Sequence, residues 1–188
     1  MSVFRPVASR GAVILALALT AFGARPAAAQ EKAAPAADPA DVASIDAILT
    51  ALYGVISGPP GQPRDWDRFR SLFAPGARLI PVGVPRDGSA ARATVLTVDG
   101  YIERTAPLFE ANGFHEIEVA RTTEQFGHIA HVFSTYESRR DPRDAEPFAR
   151  GINSIQLMHD GTRWWIVTIF WDSERPDQPI PARYLPRH

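Results

Sequence analysis

The sequence predicts an α+β fold, with helices first and a long antiparallel sheet after them. Two observations carry this. Between Asp38 and Gly113, apolar residues recur at helical spacing. From Phe114 to Ser173 the pattern changes to period two, in four runs separated by short polar turns. Runs joined by short turns pair antiparallel, and helices followed by strands make an α+β domain.

The first 29 residues read as a signal peptide rather than as fold. Arg5 and Arg10 precede the apolar run GAVILALALTAF, and Ala27-Ala28-Ala29 supplies a small-residue cleavage site. The run is too short to span a membrane, so no span is expected after processing and the protein is expected to be exported, to a periplasm or beyond. Cleavage removes 29 of 188 residues and leaves 159, enough for one domain with its own core. Three arginines leave with the peptide, so 17 basic residues face 21 acidic ones, a net charge of −4. That balance excludes a nucleic-acid partner of the usual basic kind. The chain has no cysteine, so its stability rests on its core.

Residues 30–37 are a small-residue linker, expected to be disordered. The domain runs over residues 38–174. Asp38 caps a first helix, Pro39 suits its first position, and Val42, Ile45, Ile48, Leu49, Leu52 and Ile56 form its stripe. GPPGQP breaks the chain. A second helix, DWDRFRSLF, ends at Pro75-Gly76. Residues 77–82 read as a short strand, and residues 83–96 as a loop or weak strand pair. Thr97 caps a third helix, Asp99 complements its dipole, Pro107 lies within it and Gly113 ends it. Residues 175–188 form a proline-rich tail that cannot continue the sheet.

The last two strand runs meet at Asp160-Gly161. A two-residue turn there pairs Asn153 with Thr168, Ile155 with Ile166, Leu157 with Trp164 and Gly151 with Phe170. Directly opposite residues share a face. One face is then nearly all apolar, with Asn153 and Thr168 set in it, as suits a pocket wall. Those two must be hydrogen-bonded, to each other or to a ligand. The other face carries Gln156, Trp165, Arg150 and Trp171, a mixture that suits a protein interface. A three-residue turn would regroup both faces.

The polar candidates for chemistry are few. Asp172 falls on the Asn153 face at the pocket rim, where its pKa could be raised, or it is a solvated strand end. Tyr53 on the first helix is either a core residue or a phenol in the pocket. The histidines of HIAH, His128 and His131, point to opposite faces at that spacing, so no metal site is expected. Glu116 and Glu118 share a face while His115 points away, and no catalytic role is expected of the three. No nucleophile elbow or glycine-rich phosphate loop is present, and no cofactor is expected.

The segments WDRFRSLFAPGARLI, TVDGYIERTAPLF, AHVFSTYESR and DGTRWWIVTIFW resemble the nuclear transport factor 2-like superfamily, in its polyketide-cyclase-like branch. The resemblance implies a cone-shaped curved antiparallel sheet wrapped around three N-terminal helices, with an open pocket. It also implies homodimers paired through the outer sheet face. Isomerases of that superfamily carry an acidic base on the strand before Pro-Val-Gly. Here that strand reads Arg78-Leu79-Ile80-Pro81, without an acid.

Two functions follow. The first is an exported protein that binds a small apolar molecule, with Asn153, Thr168, Trp164, Phe170, Ile166 and Tyr53 around it. The second is a lyase, isomerase or cyclase with Asp172 as base and Tyr53 and Asn153 holding an oxyanion. Trp165, Trp171, Gln156 and Arg150 are the expected interface.

Overall fold

Capping side chains set where each α-helix among the described residues begins. The computed structural model describes Met1 and residues 35–85 and 89–186. The expected signal peptide beyond Met1, and the expected linker up to residue 34, lie outside the described residues. Helix α1 (Pro39–Val42) is capped by Asp38, whose Oδ1 accepts the Ala40 N–H at 2.9 Å. The expected single helix is two, because Ser44 takes an extended conformation and caps α2 (Ile45–Ile56) through the Ala47 N–H. Asp65 caps α3 (Trp66–Ser71), and Thr97 caps α4 (Val98–Asn112). Gly113 closes α4 at φ 68, a left-handed conformation that glycine adopts without strain.

The strands are β1 (Phe73–Gly83), β2 (Arg92–Ala93), β3 (His115–Phe126), β4 (Ile129–Arg139), β5 (Ala149–His159) and β6 (Trp164–Ser173). They form one curved, unclosed sheet in the order β2-β1-β6-β5-β4-β3. The sheet is mixed rather than purely antiparallel, because β1 runs parallel to β6. The core lies between the helices and the concave face, where Ile48, Phe69, Val132, Ile155 and Ile166 are fully buried.

The β5–β6 hairpin departs from the expected register. Its loop is Asp160–Arg163, closed by His159 opposite Trp164. Asp160 organises it: Oδ1 accepts the N–H groups of Thr162 and Arg163, and Oδ2 accepts Trp165 Nε1–H at 2.6 Å. This loop is two residues longer than the expected turn, which leaves the faces unchanged. The inversion comes further along. Leu157 pairs with Ile166 but Gln156 pairs with Thr168, so Val167 is an extra, bulged residue. Every β6 residue beyond it changes face. Asn153 therefore lies opposite Trp171, and Thr168 lies opposite Gln156 on the outer face.

The tail packs on that outer face. Thr135 Oγ1–H donates to the Tyr184 carbonyl at 2.6 Å, and the Tyr184 ring meets Phe133 edge-on at 4.9 Å.

Candidate functional site

Strand β3 starts where it is tied to the end of α2. The Glu116 N–H donates to Ser57 Oγ at 3.0 Å, and Ser57 Oγ–H donates to the Tyr53 carbonyl at 2.7 Å. Glu116 stands opposite Ser138 of β4, and Glu118 opposite Tyr136. These pairs share the concave face, because Tyr136 and Ser138 are both buried. The sequence thus carries two half-buried acids onto the concave face.

A chain of hydrogen bonds fixes them. Ser138 Oγ–H donates to Glu116 Oε2 at 2.8 Å, and the nearby Asn153 carboxamide favours the charged form of the same carboxylate. Asn153 Nδ2–H also donates to Tyr53 Oη at 3.1 Å. Tyr53 and Ser134 are joined at 2.7 Å, and Ser134 Oγ–H donates to Glu118 Oε2. Ser134 has one proton and gives it to the carboxylate, so Tyr53 must donate to Ser134 and accept from Asn153. Arg121 Nε–H closes the chain on Glu118 Oε1 at 2.6 Å, and its other arm reaches Asp46 at 2.7 Å.

Glu116 lines a cavity of about 240 Å³ on the concave side. Its walls are aromatic: Phe69, Tyr101, Phe109, Phe114, Phe148 and Trp171, with Leu52, Ile56, Leu79 and Ile169. Its polar groups are Glu116, Tyr136, Ser138, Asn153 and Thr105. On its other side Glu116 faces a second, more polar groove of about 500 Å³ between α2 and β3.

Burial decides the electrostatics. It pushes the Glu116 carboxyl up to about 7, against the opposing bonds from Ser138 and Asn153. Burial pushes Tyr136 up to about 12, and raises Tyr53 and Tyr101 as well, with the Glu116 charge adding to each. The phenols therefore stay protonated, as neutral donors. The Tyr136 hydroxyl meets Ser173 Oγ at 3.1 Å. The site thus holds one carboxyl that gains or loses its proton near neutrality, in an aromatic enclosure.

Of the residues singled out from the sequence, Asn153 and Tyr53 are brought together, Asn153 on the cavity wall and Tyr53 behind it on the groove. Trp171 also lines the cavity, edge-on to Tyr101 at 6.2 Å, and so is not on the expected interface. The others lie elsewhere. Thr168 and Phe170 are on the outer face, carried there by the Val167 bulge. Asp172 is there too, and is not a base at the rim. Arg175 clamps it at 2.6 Å and holds its carboxyl below the usual range. Ile166 is fully buried core, and Trp164 is buried beside His159, away from the cavity. Trp165, Gln156 and Arg150 remain on the outer face, Trp165 under the Arg163 guanidinium at 3.6 Å. Arg150 lies near Glu137 and Glu174, at 3.4 and 3.5 Å. His128 Nδ1–H donates to the His159 carbonyl at 2.9 Å and His131 Nε2 meets Ser154 Oγ at 3.0 Å. Among the described residues no three acids or histidines gather around a metal.

Glu116, Tyr101, Tyr136 and Ser138 were not among the expected site residues. Two signals pointed to Glu116, Tyr136 and Ser138, and none to Tyr101. Phe114-x-Glu116 puts an acid in phase with a buried phenylalanine, and Ser134-x-Tyr136-x-Ser138 puts three hydroxyls on one strand face.

Three solved structures show what the fold is similar to. A protein of unknown function with a cystatin-like fold from Nostoc punctiforme is 8% identical, with a TM-score of 0.53 over 70% of this chain and 90% of that one. An uncharacterized protein with a cystatin-like fold from Caulobacter vibrioides is 13% identical, with a TM-score of 0.51 over 72% and 90%. A nuclear transport factor 2-like protein of unknown function from Shewanella baltica is 15% identical, with a TM-score of 0.45 over 68% and 89%. No protein-family model matches the chain, and no curated protein matches it. At 8% and 13% identity the likeness to the first two is one of fold alone.

Proposed function

We propose that the cavity takes a small, mostly apolar molecule and that Glu116 moves a proton on it, as in an isomerase, lyase or cyclase. The observation that carries this is the Glu116 carboxyl, poised near neutrality at the polar end of an aromatic cavity. A general base works best with a pKa near the working pH. Glu116 sits on β3, not on the strand where the superfamily's isomerases carry their acid, so the same chemistry is reached from another element. Tyr101 and Tyr136, kept protonated, are the donors for an oxygen that becomes negative when a carbon proton leaves. The resemblance to the polyketide-cyclase-like branch supports the same class of substrate.

Carbon-acid exchange tests the proposal. A panel of cyclic ketones is incubated with the full chain in heavy water, and deuterium entry is followed by proton NMR. The rate should climb through about pH 7, as Glu116 becomes a carboxylate. Glu116→Gln should remove it, a loss of roughly a hundredfold or more. Exchange that survives in Glu116→Gln would assign the chemistry elsewhere.

A binding-only reading has its own support, since Asn153, Ser138 and Tyr136 all have partners within the protein. In that case Glu116→Gln keeps ligand affinity and no exchange is found with any ketone. Export rests on the character of residues 1–29. A homodimer would use the outer face, where Val167, Phe170 and Met158 are exposed.

A further inference from the structure

We infer that Arg140 recognises an anionic group on the cavity's ligand, so that the ligand is an apolar body with a carboxylate-like end. This rests on reading the cavity as a ligand site.

Phe148 both lines the cavity and is half-exposed, which places it at the rim. Inside, its ring meets Phe114 at 6.2 Å. The Arg140 guanidinium covers it, with Cζ 4.3 Å from the ring centroid. A guanidinium stacked on a ring keeps the N–H groups of its edge free to meet a planar anion in two parallel bonds.

Those N–H groups are largely unspent. Arg140 is exposed and donates one weak bond, to the Gly113 carbonyl at 3.3 Å. Among the described residues no carboxylate pairs with it. The neighbouring acids are committed. Asp141 gives both carboxylate oxygens to Arg143 at 2.8 and 2.7 Å. Asp144 Oδ2 accepts the backbone N–H groups of Arg140 and Asp141 at 3.1 and 3.0 Å. Arg139, next in the chain, is paired with Glu137 at 2.9 Å.

Glu116 and Phe148 both line the cavity, and Arg140 covers Phe148. The charged form of Glu116 repels an anion, so an anionic end is placed at Arg140 and the uncharged reactive end is turned to Glu116.

The test is calorimetric titration of the full chain at about pH 6, where simple carboxylic acids are ionised. The probes are phenylacetate and hydrocinnamate, each against its matching alcohol. The acids should bind about tenfold more tightly than the alcohols. Arg140→Gln should abolish that preference and leave the alcohols' affinity unchanged, while Arg140→Lys keeps part of it. Arg140 is exposed, so both variants should melt with the parent chain. Alcohols that bind as well as the acids, or a preference that survives Arg140→Gln, would overturn the inference and leave the cavity reading standing. If no probe binds, the cavity reading fails and this inference with it.

Discussion

Asn153 Nδ2–H donates to Tyr53 Oη at 3.1 Å, joining β5 to α2 across 100 residues of sequence. The bond is buried; Tyr53 bonds on to Ser134, and the Asn153 amide lies close enough to Glu116 to favour its charged form. The amide therefore couples the cavity acid to the network that ends at Arg121.

Asn153→Ala should cost about 1–3 kcal/mol, because it strips buried partners of their hydrogen bonds. It also removes a donor that lowers the Glu116 pKa, so the Glu116 midpoint should move upward from about 7. Urea unfolding measures the first effect, and carbon-13 NMR of the Glu116 carboxyl the second. A midpoint that falls would show that Asn153 does not donate to the carboxylate.

Glu116 also sets a pH dependence of stability. Its folded pKa is about 7 and its ordinary value 4.5, so between them the folded state holds more protons than the unfolded one. Stability is therefore greatest below this window and falls as pH rises through it, by about 3 kcal/mol in all. Glu116→Gln should be flat across the same window and, at about pH 8, more stable than the parent. Equal slopes in the two proteins would refute the placement of Glu116.

Gly151 admits no side chain. A Cβ there would lie 2.3 Å from the Asp172 carbonyl oxygen and 2.6 Å from Tyr136 Oη. Gly151→Ala should destabilise by about 3 kcal/mol, since a backbone atom cannot yield as a side chain can. It should also push Tyr136 from its place opposite Gly151, visible as a changed tyrosine signal in near-ultraviolet circular dichroism.

Asp172 anchors the tail rather than the chemistry. It holds Arg175 and Gln178 at 2.6 and 3.1 Å. Asp172→Asn should leave carbon-acid exchange unchanged and cost about 0.5 kcal/mol, the scale of a partly exposed ion pair. Its mark should be faster tryptic cleavage at Arg175 and Arg183. Loss of exchange in this variant would restore Asp172 as a base.

The sequence by itself determined the helix starts at Asp38, Asp65 and Thr97, because each depends on a cap within three residues, but not the break at Ser44, which splits the expected first helix in two. It also determined the four long strands through their period, and hence the α+β class. Only the tertiary structure decided which way the end of β6 faces. The run WWIVTIFW is apolar at odd and even positions alike, so alternation does not choose a face, and a single bulge at Val167 can turn Ile169 and Trp171 inward. The character of Glu116 was decided in the same way. Its local sequence, HEIEV, reads as a solvated strand start. Its raised pKa comes from burial, and Phe148, Tyr136 and Trp171, which line the same cavity, come from outside β3 and gather around it only when the sheet curves over the helices.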